Sequence, residues 1–223
     1  MIHAYDKLYL SKAQAVLARM LDIGVNELNY SLKGFFSLFI KTGLADRFGA
    51  GDYTLLVGMS GVELAYTVLE SSGKQIRRKS PRYDSERSVE YWTGWVLAYY
   101  QWETALRFSE IIRAVPIERI ASLYSPYHEM DIRQFCDRMN ELYRKANQDT
   151  NLKRLRKSAG MSQSILAEIS GVPLRTIQQY EQRRKNINKA QAEYLVMLAQ
   201  ALCCRVEDLL EKVEQPEQIL PPN

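Results

Sequence analysis

Apolar positions recur along the chain at the three- and four-residue spacing of helices. No stretch alternates long enough to predict a strand, apart from a short extended piece at 53–57. Residues 7–20 predict an amphipathic helix. Residues 25–41 carry Leu28, Leu32, Phe35, Phe36, Phe39 and Ile40 on a second, which Gly43 ends. Ser60-Gly61-Val62-Glu63 has the spacing of a capping box and starts a helix to about Glu70. A long helix is predicted over 85–113, stopped by Pro116, and Asp131 starts another through Phe135, Met139 and Leu142. Residues 71–84 read as an exposed basic loop and RKANQD, 144–149, as a linker.

From Thr150 onward the helices shorten and their punctuation becomes regular. Thr150 caps a helix with Leu152 and Leu155 inward and Lys153, Arg154, Arg156 and Lys157 outward, and Gly160 stops it. Ser162 caps the next, whose stripe is Ile165, Leu166 and Ile169. Gly171 ends that helix where a turn needs positive φ. Val172 packs inward, Pro173 suits the first turn of a third helix, and Ile177 and Tyr180 bury its inner face. After QRRKNIN comes a helix carrying Leu195, Leu198, Ala199 and Leu202, then a closing turn, VEDLLE.

Composition narrows the class. With 223 residues, 46% hydrophobic and 25% charged, the chain should bury a core as one large domain or two unequal ones. The longest apolar stretch, 91–102, is too short for a membrane span, and the opening MIHAYDKLYL has no signal-peptide pattern. Three cysteines, Cys136, Cys203 and Cys204, build no disulfide framework and fit a reducing cytoplasm. The net charge of +4 hides a split. Residues 1–150 are near neutral. In 151–189, Lys153, Arg154, Arg156, Lys157, Arg175, Arg183, Arg184, Lys185 and Lys189 face only Glu168 and Glu181. Acidic residues dominate 190–223. A basic concentration of this kind calls for a polyanion.

Two short helices joined through a glycine turn in basic surroundings make a helix-turn-helix plan. The segment LKRLRKSAGMSQSILAEISGVPLRTIQQYEQRRKNINKAQAEYLVMLAQALCCRVEDLLE resembles the Cro/CI-type (XRE) helix-turn-helix repressors. MSQ opening helix two, Ala167, Gly171-Val172, Ile177 and the closing VEDLL carry the resemblance. Together with the helical pattern of the first 150 residues, it gives an all-α chain: an N-terminal helical domain over 1–146, with a sub-boundary at the 71–84 loop, then the lambda-repressor-like five-helix domain that the resemblance implies over 147–212 and a tail over 213–223. It also implies residue roles. Helix two crosses the DNA backbone, with Ser162 and Gln163 at its start facing a phosphate. Helix three enters the major groove, where Leu174, Arg175, Gln178 and Gln179, with Gln163 beside them, reach bases. Thr176, Arg183, Arg184 and Lys185 hold phosphates. The family often has Asn-Gly after the third helix; here Gln182-Arg183 stands there, so that turn must form without glycine.

The expected function is a sequence-specific regulator, a repressor, binding double-stranded DNA as a homodimer in the cytoplasm, with no cofactor and no membrane. The alternative is an antitoxin-type autoregulator. The N-terminal segment resembles, faintly, small helical domains encoded beside toxin-like proteins, and would then hold a toxin from the same operon. No enzyme is expected. Gly58-Met59-Ser60-Gly61 has the wrong glycine spacing for a nucleophile elbow, and Ser60 reads as a cap. His128, Glu129 and Asp131 are better loop contacts than a metal site. Trp92, Trp95, Tyr99 and Trp102 fall on one helical stripe, an aromatic core or dimer seam first, and a ligand or partner groove second. The basic loop with Lys74, Arg77, Arg78, Lys79 and Arg82 is a solvated segment first and an accessory DNA contact second.

Overall fold

In the computed structural model, which describes residues 3–74 and 87–211, helices are the regular elements and no strand occurs among the described residues. The contacts divide the chain into two units, Met1–Asn147 and Gln148–Asn223.

The first unit holds α1 (Leu10–Asp22), α2 (Leu32–Lys41), α3 (Leu44–Gly49), α4 (Tyr53–Leu56), α5 (Gly61–Ser71), α6 (Val89–Thr104), α7 (Phe108–Ala114), α8 (Ile117–Ala121), α9 (Tyr124–Tyr127) and α10 (Ile132–Asn147). Helix α1 is its spine, burying Ala13, Val16, Leu17, Met20 and Leu21. Glycines let two helices rest directly on its backbone. A Cβ on Gly94 of α6 would stand 2.6 Å from the Leu17 carbonyl oxygen, and one on Gly61 of α5 would stand 2.5 Å from that of Val16. Around this spine the rings of Phe36, Phe39, Phe48 and Phe108 meet at centroid distances of 5.7–6.1 Å.

Several boundaries depart from the pattern reading, each for a local reason. Helix α2 begins at Leu32 rather than near Val25. The preceding helix runs on through a π-turn, Ile23–Glu27, Asn29 takes φ 58°, and the Ser31 hydroxyl then caps α2 by accepting from the Gly34 N–H. The extended piece at 53–57 is instead the single turn α4: the Asp52 carboxylate accepts from the Thr54 N–H, and consecutive Leu55 and Leu56 are both buried, which a half-buried strand would not allow. The long helix over 85–113 is two. Ala105 adopts φ 54°, Glu110 accepts from the Arg107 N–H to restart α7, and the break drops Phe108 into the phenylalanine cluster. The linker reading of 144–149 also fails in its first half, because α10 continues to Asn147. The Ser60 capping box forms as expected, and Asp131 accepts from the Arg133 N–H at the start of α10.

Of the basic loop, Lys74 lies against Tyr30, its Nζ 3.2 Å from the phenol oxygen; Arg77, Arg78, Lys79 and Arg82 lie outside the described residues, as does the 213–223 tail. Among the described residues no helix is long and apolar enough to cross a membrane.

The second unit holds α11 (Asn151–Ser158), α12 (Gln163–Ser170), α13 (Leu174–Glu181), a 3-10 turn at Ile187–Lys189, α14 (Ala192–Ala201) and α15 (Val206–Leu209). Thr150 and Ser162 cap α11 and α12, and Gly171, at φ 73°, makes the turn into α13 with Pro173 at the cap position. Leu152, Leu166, Val172, Ile177, Leu198 and Leu209 form its core. The expected stripe of α12 is corrected here. Leu166 is fully buried, but Ile165 and Ile169 are 45% and 57% exposed. Ser170 is the inward partner instead, donating its hydroxyl to the Leu166 carbonyl and accepting from the Val172 N–H. The ends of the unit are tied together. Asn151 donates its N–H to Glu211 and its amide to the Leu210 carbonyl, and Asn188 and Glu211 exchange two hydrogen bonds of 2.7 and 2.8 Å.

Candidate nucleic-acid interface

Helix α13 is eight residues long, which at 1.5 Å per residue is about 12 Å, the width of a major groove. Its periodicity separates two faces. Ile177, Tyr180 and Glu181 are buried. Leu174 and Arg175 are exposed and Gln178 and Gln179 half-buried on an outward arc of about 140°. Arg175 has no ion-pair partner among the described residues, and neither has Arg184, Lys185 or Lys189. Thr176 is half-buried at the edge of this face. Ser162 is exposed, with its hydroxyl accepting from the Ile165 N–H, so the first amides of α12 open outward beside it.

A bidentate ion pair braces this helix from behind. The Arg156 guanidinium donates to both Glu181 oxygens at 2.6 and 2.9 Å and to the Met161 carbonyl at 2.6 Å; the Glu181 side chain is 2% exposed. Gln163 donates its amide to the same carboxylate at 2.7 Å, joining α11, α12 and α13 in one network. The sequence reading missed this pair. Its signal was present, since Glu181 is one of only two acids within 151–189.

The structure therefore divides the basic side chains into two sets. Lys153 and Lys157 both bind Asp149, at 2.6 and 2.8 Å, and they hold its carboxyl down to a pKa of about 2. Arg156 is inside. Arg183 donates to the Gln148 carbonyl and lies 3.6 Å from Glu211, so in the free chain it ties the domain's own ends. Its backbone supplies the turn that glycine serves elsewhere, at φ 55°, with the N–H groups of Arg184 and Lys185 donating to the Gln179 carbonyl. Arg154 is exposed and donates to the Asn151 side-chain oxygen, so the set left facing outward is Arg154, Arg175, Arg184, Lys185 and Lys189.

The aromatic stripe of α6 is also divided. Trp102 is buried, stacked on His3 at 3.9 Å and donating its indole N–H to the Tyr5 carbonyl. Tyr99 is half-buried against Trp102. Trp92 and Trp95 instead line a cavity of about 400 Å³ together with residues of α9 and α10. His128, Glu129 and Asp131 do not converge: His128 stacks on Tyr124 and meets Glu129 at 3.4 Å, whereas Asp131 caps α10.

A family model described as helix-turn-helix matches residues 152–209, about a quarter of the chain. No curated protein and no solved structure matches the chain. The match spans α11 to α15 and includes every residue of the outward face of α13. Residues 152–209 of this chain are a helix-turn-helix domain of the XRE type, a DNA-binding module of transcription regulators.

Proposed function

We propose that the protein is a sequence-specific transcriptional repressor that binds as a homodimer and reads the major groove with α13. The observation that carries this reading is the outward arc of Leu174, Arg175, Gln178 and Gln179, held in place by the Arg156–Glu181 pair behind it. An arginine can pair with guanine and a glutamine with adenine through two hydrogen bonds each, and Leu174 suits a thymine methyl. Ser162, Gln163, Thr176, Arg183, Arg184 and Lys185 are the phosphate-facing set. Gln163 and Arg183 would have to exchange their present partners for DNA, so Arg184 and Lys185 are the stronger members. The first unit serves as the sensing or dimerising part.

Footprinting on the DNA upstream of the protein's own gene tests the proposal. Protection of two half-sites about 34 Å apart supports a dimeric operator reader, and loss of reporter expression on adding the protein supports repression. Protection absent from every upstream fragment contradicts both. The antitoxin alternative predicts a further outcome, a small protein from the neighbouring gene that co-purifies in fixed ratio with the first unit.

A further inference from the structure

The cavity on the first unit has a chemistry of its own. Its walls are aromatic and fixed by one another. Trp92 meets Tyr124 and Phe135 edge-on, each at 5.5 Å between centroids, at 88° and 80°, and Tyr124 is stacked on His128 at 4.2 Å. Such a site is already in shape before a ligand arrives, and its volume of about 400 Å³ lies in the range of small-molecule pockets.

Among the described residues no carboxylate lines this cavity, and three of its lining side chains, Arg87, Trp92 and Trp95, can only donate. The Arg87 guanidinium stands over the Tyr91 ring, 5.3 Å from its centroid, and has no carboxylate partner among the described residues. The indole N–H groups of Trp92 and Trp95 have no hydrogen-bond partner there either. Glu129, next to the lining residue His128, meets it at 3.4 Å and is 80% exposed. A cationic ligand would meet Arg87 with like charge, and a purely apolar one would leave three donors unanswered. A carboxylate answers them, and planar aromatic faces match the walls.

We infer that this cavity binds a small aromatic carboxylate, with its ring between the Trp92 and Trp95 indoles and its carboxylate on Arg87. Titration calorimetry of the full chain with benzoate, phenylacetate and indole-3-acetate, and with indole-3-acetamide as the uncharged match, tests it. At least one acid should saturate one site with a Kd below about 1 mM, and the amide should bind about tenfold more weakly than its acid. Arg87→Gln should erase that acid–amide difference. Met130→Trp, placed at the mouth where Met130 is 42% exposed, should abolish binding of acid and amide alike. Four results overturn the inference: no saturation by any of the acids, equal affinity for acid and amide in the unaltered chain, an acid–amide difference that persists in Arg87→Gln, or binding that survives Met130→Trp. Capture of a protein partner by a chain that binds none of the acids overturns it in favour of a protein-docking groove.

Discussion

The two units solve the problem of stability differently. The first has bulk: the largest fully buried side chains, from Tyr100 and the phenylalanines to Met20 and Ile23, all belong to it, and glycines let α5 and α6 lie against the backbone of α1. The second is smaller, its buried core is aliphatic apart from Tyr180, and its termini and helices are fastened by polar groups. These are the Arg156–Glu181–Gln163 network, the Asn151–Glu211–Asn188 knot and the Asp149 pairs. A small domain buries less apolar surface per residue, so well-paired polar ties matter more to it. The difference has a functional consequence. Charge in the second unit is partly consumed in holding it together, so a formally very basic segment presents a narrower set of cations outward than its composition implies.

Substitutions separate these modes of cohesion. The largest expected effect is in the first unit: Phe108→Ala should cost about 3–5 kcal/mol in chemical denaturation, because the cavity opens among three other rings. Operator affinity of the folded variant should be unchanged. In the second unit, Glu181→Ala should cost about 3 kcal/mol by leaving the buried Arg156 without its carboxylate, and should also weaken DNA binding by loosening α13. A loss in stability without loss in affinity would separate the brace from the reading face. Smaller is the effect at the glycine-free turn. Arg183→Gly should be more stable than Arg183→Ala by about 1 kcal/mol, since both remove the same side chain and only alanine is strained at φ 55°. The smallest is electrostatic. Asp149 has a lowered pKa, so what it contributes is fully present above its ordinary value of 3.8 and disappears as pH falls toward about 2. A carboxyl NMR titration should place its midpoint in that lower range, and Lys153→Ala should move it up.

Local chemistry was the legible part of the sequence. Ser60, Thr150 and Ser162 announce helix starts because a hydroxyl before an apolar run has one good use there, and each of them caps. The outward face of α13 followed from Ile177 and Tyr180, three residues apart, fixing the inner face, which leaves Leu174 on the outer one despite its apolar side chain. Tertiary decisions were not legible. Nothing local stops a helix at Thr104; the break is set by where Phe108 can pack. Three apolar residues at 165, 166 and 169 cannot reveal that only Leu166 turns inward, because the choice is made by the helices opposite. In the aromatic stripe, spacing placed four rings on one face but not the division between those tied down by the N-terminal segment and those open to a cavity. Charge counts likewise do not say which cations are already paired.

The central claim is that the outward face of α13 reads bases. The most direct measurement is the affinity of the Arg175→Ala/Gln179→Ala double variant for the footprinted operator and for unrelated DNA, with Arg184→Ala measured beside it across salt concentrations. The account predicts that the double variant loses about 1–3 kcal/mol for each bidentate contact on the operator alone. Arg184→Ala should instead weaken binding to every sequence and flatten its salt dependence. An operator affinity unchanged in the double variant would contradict the claim.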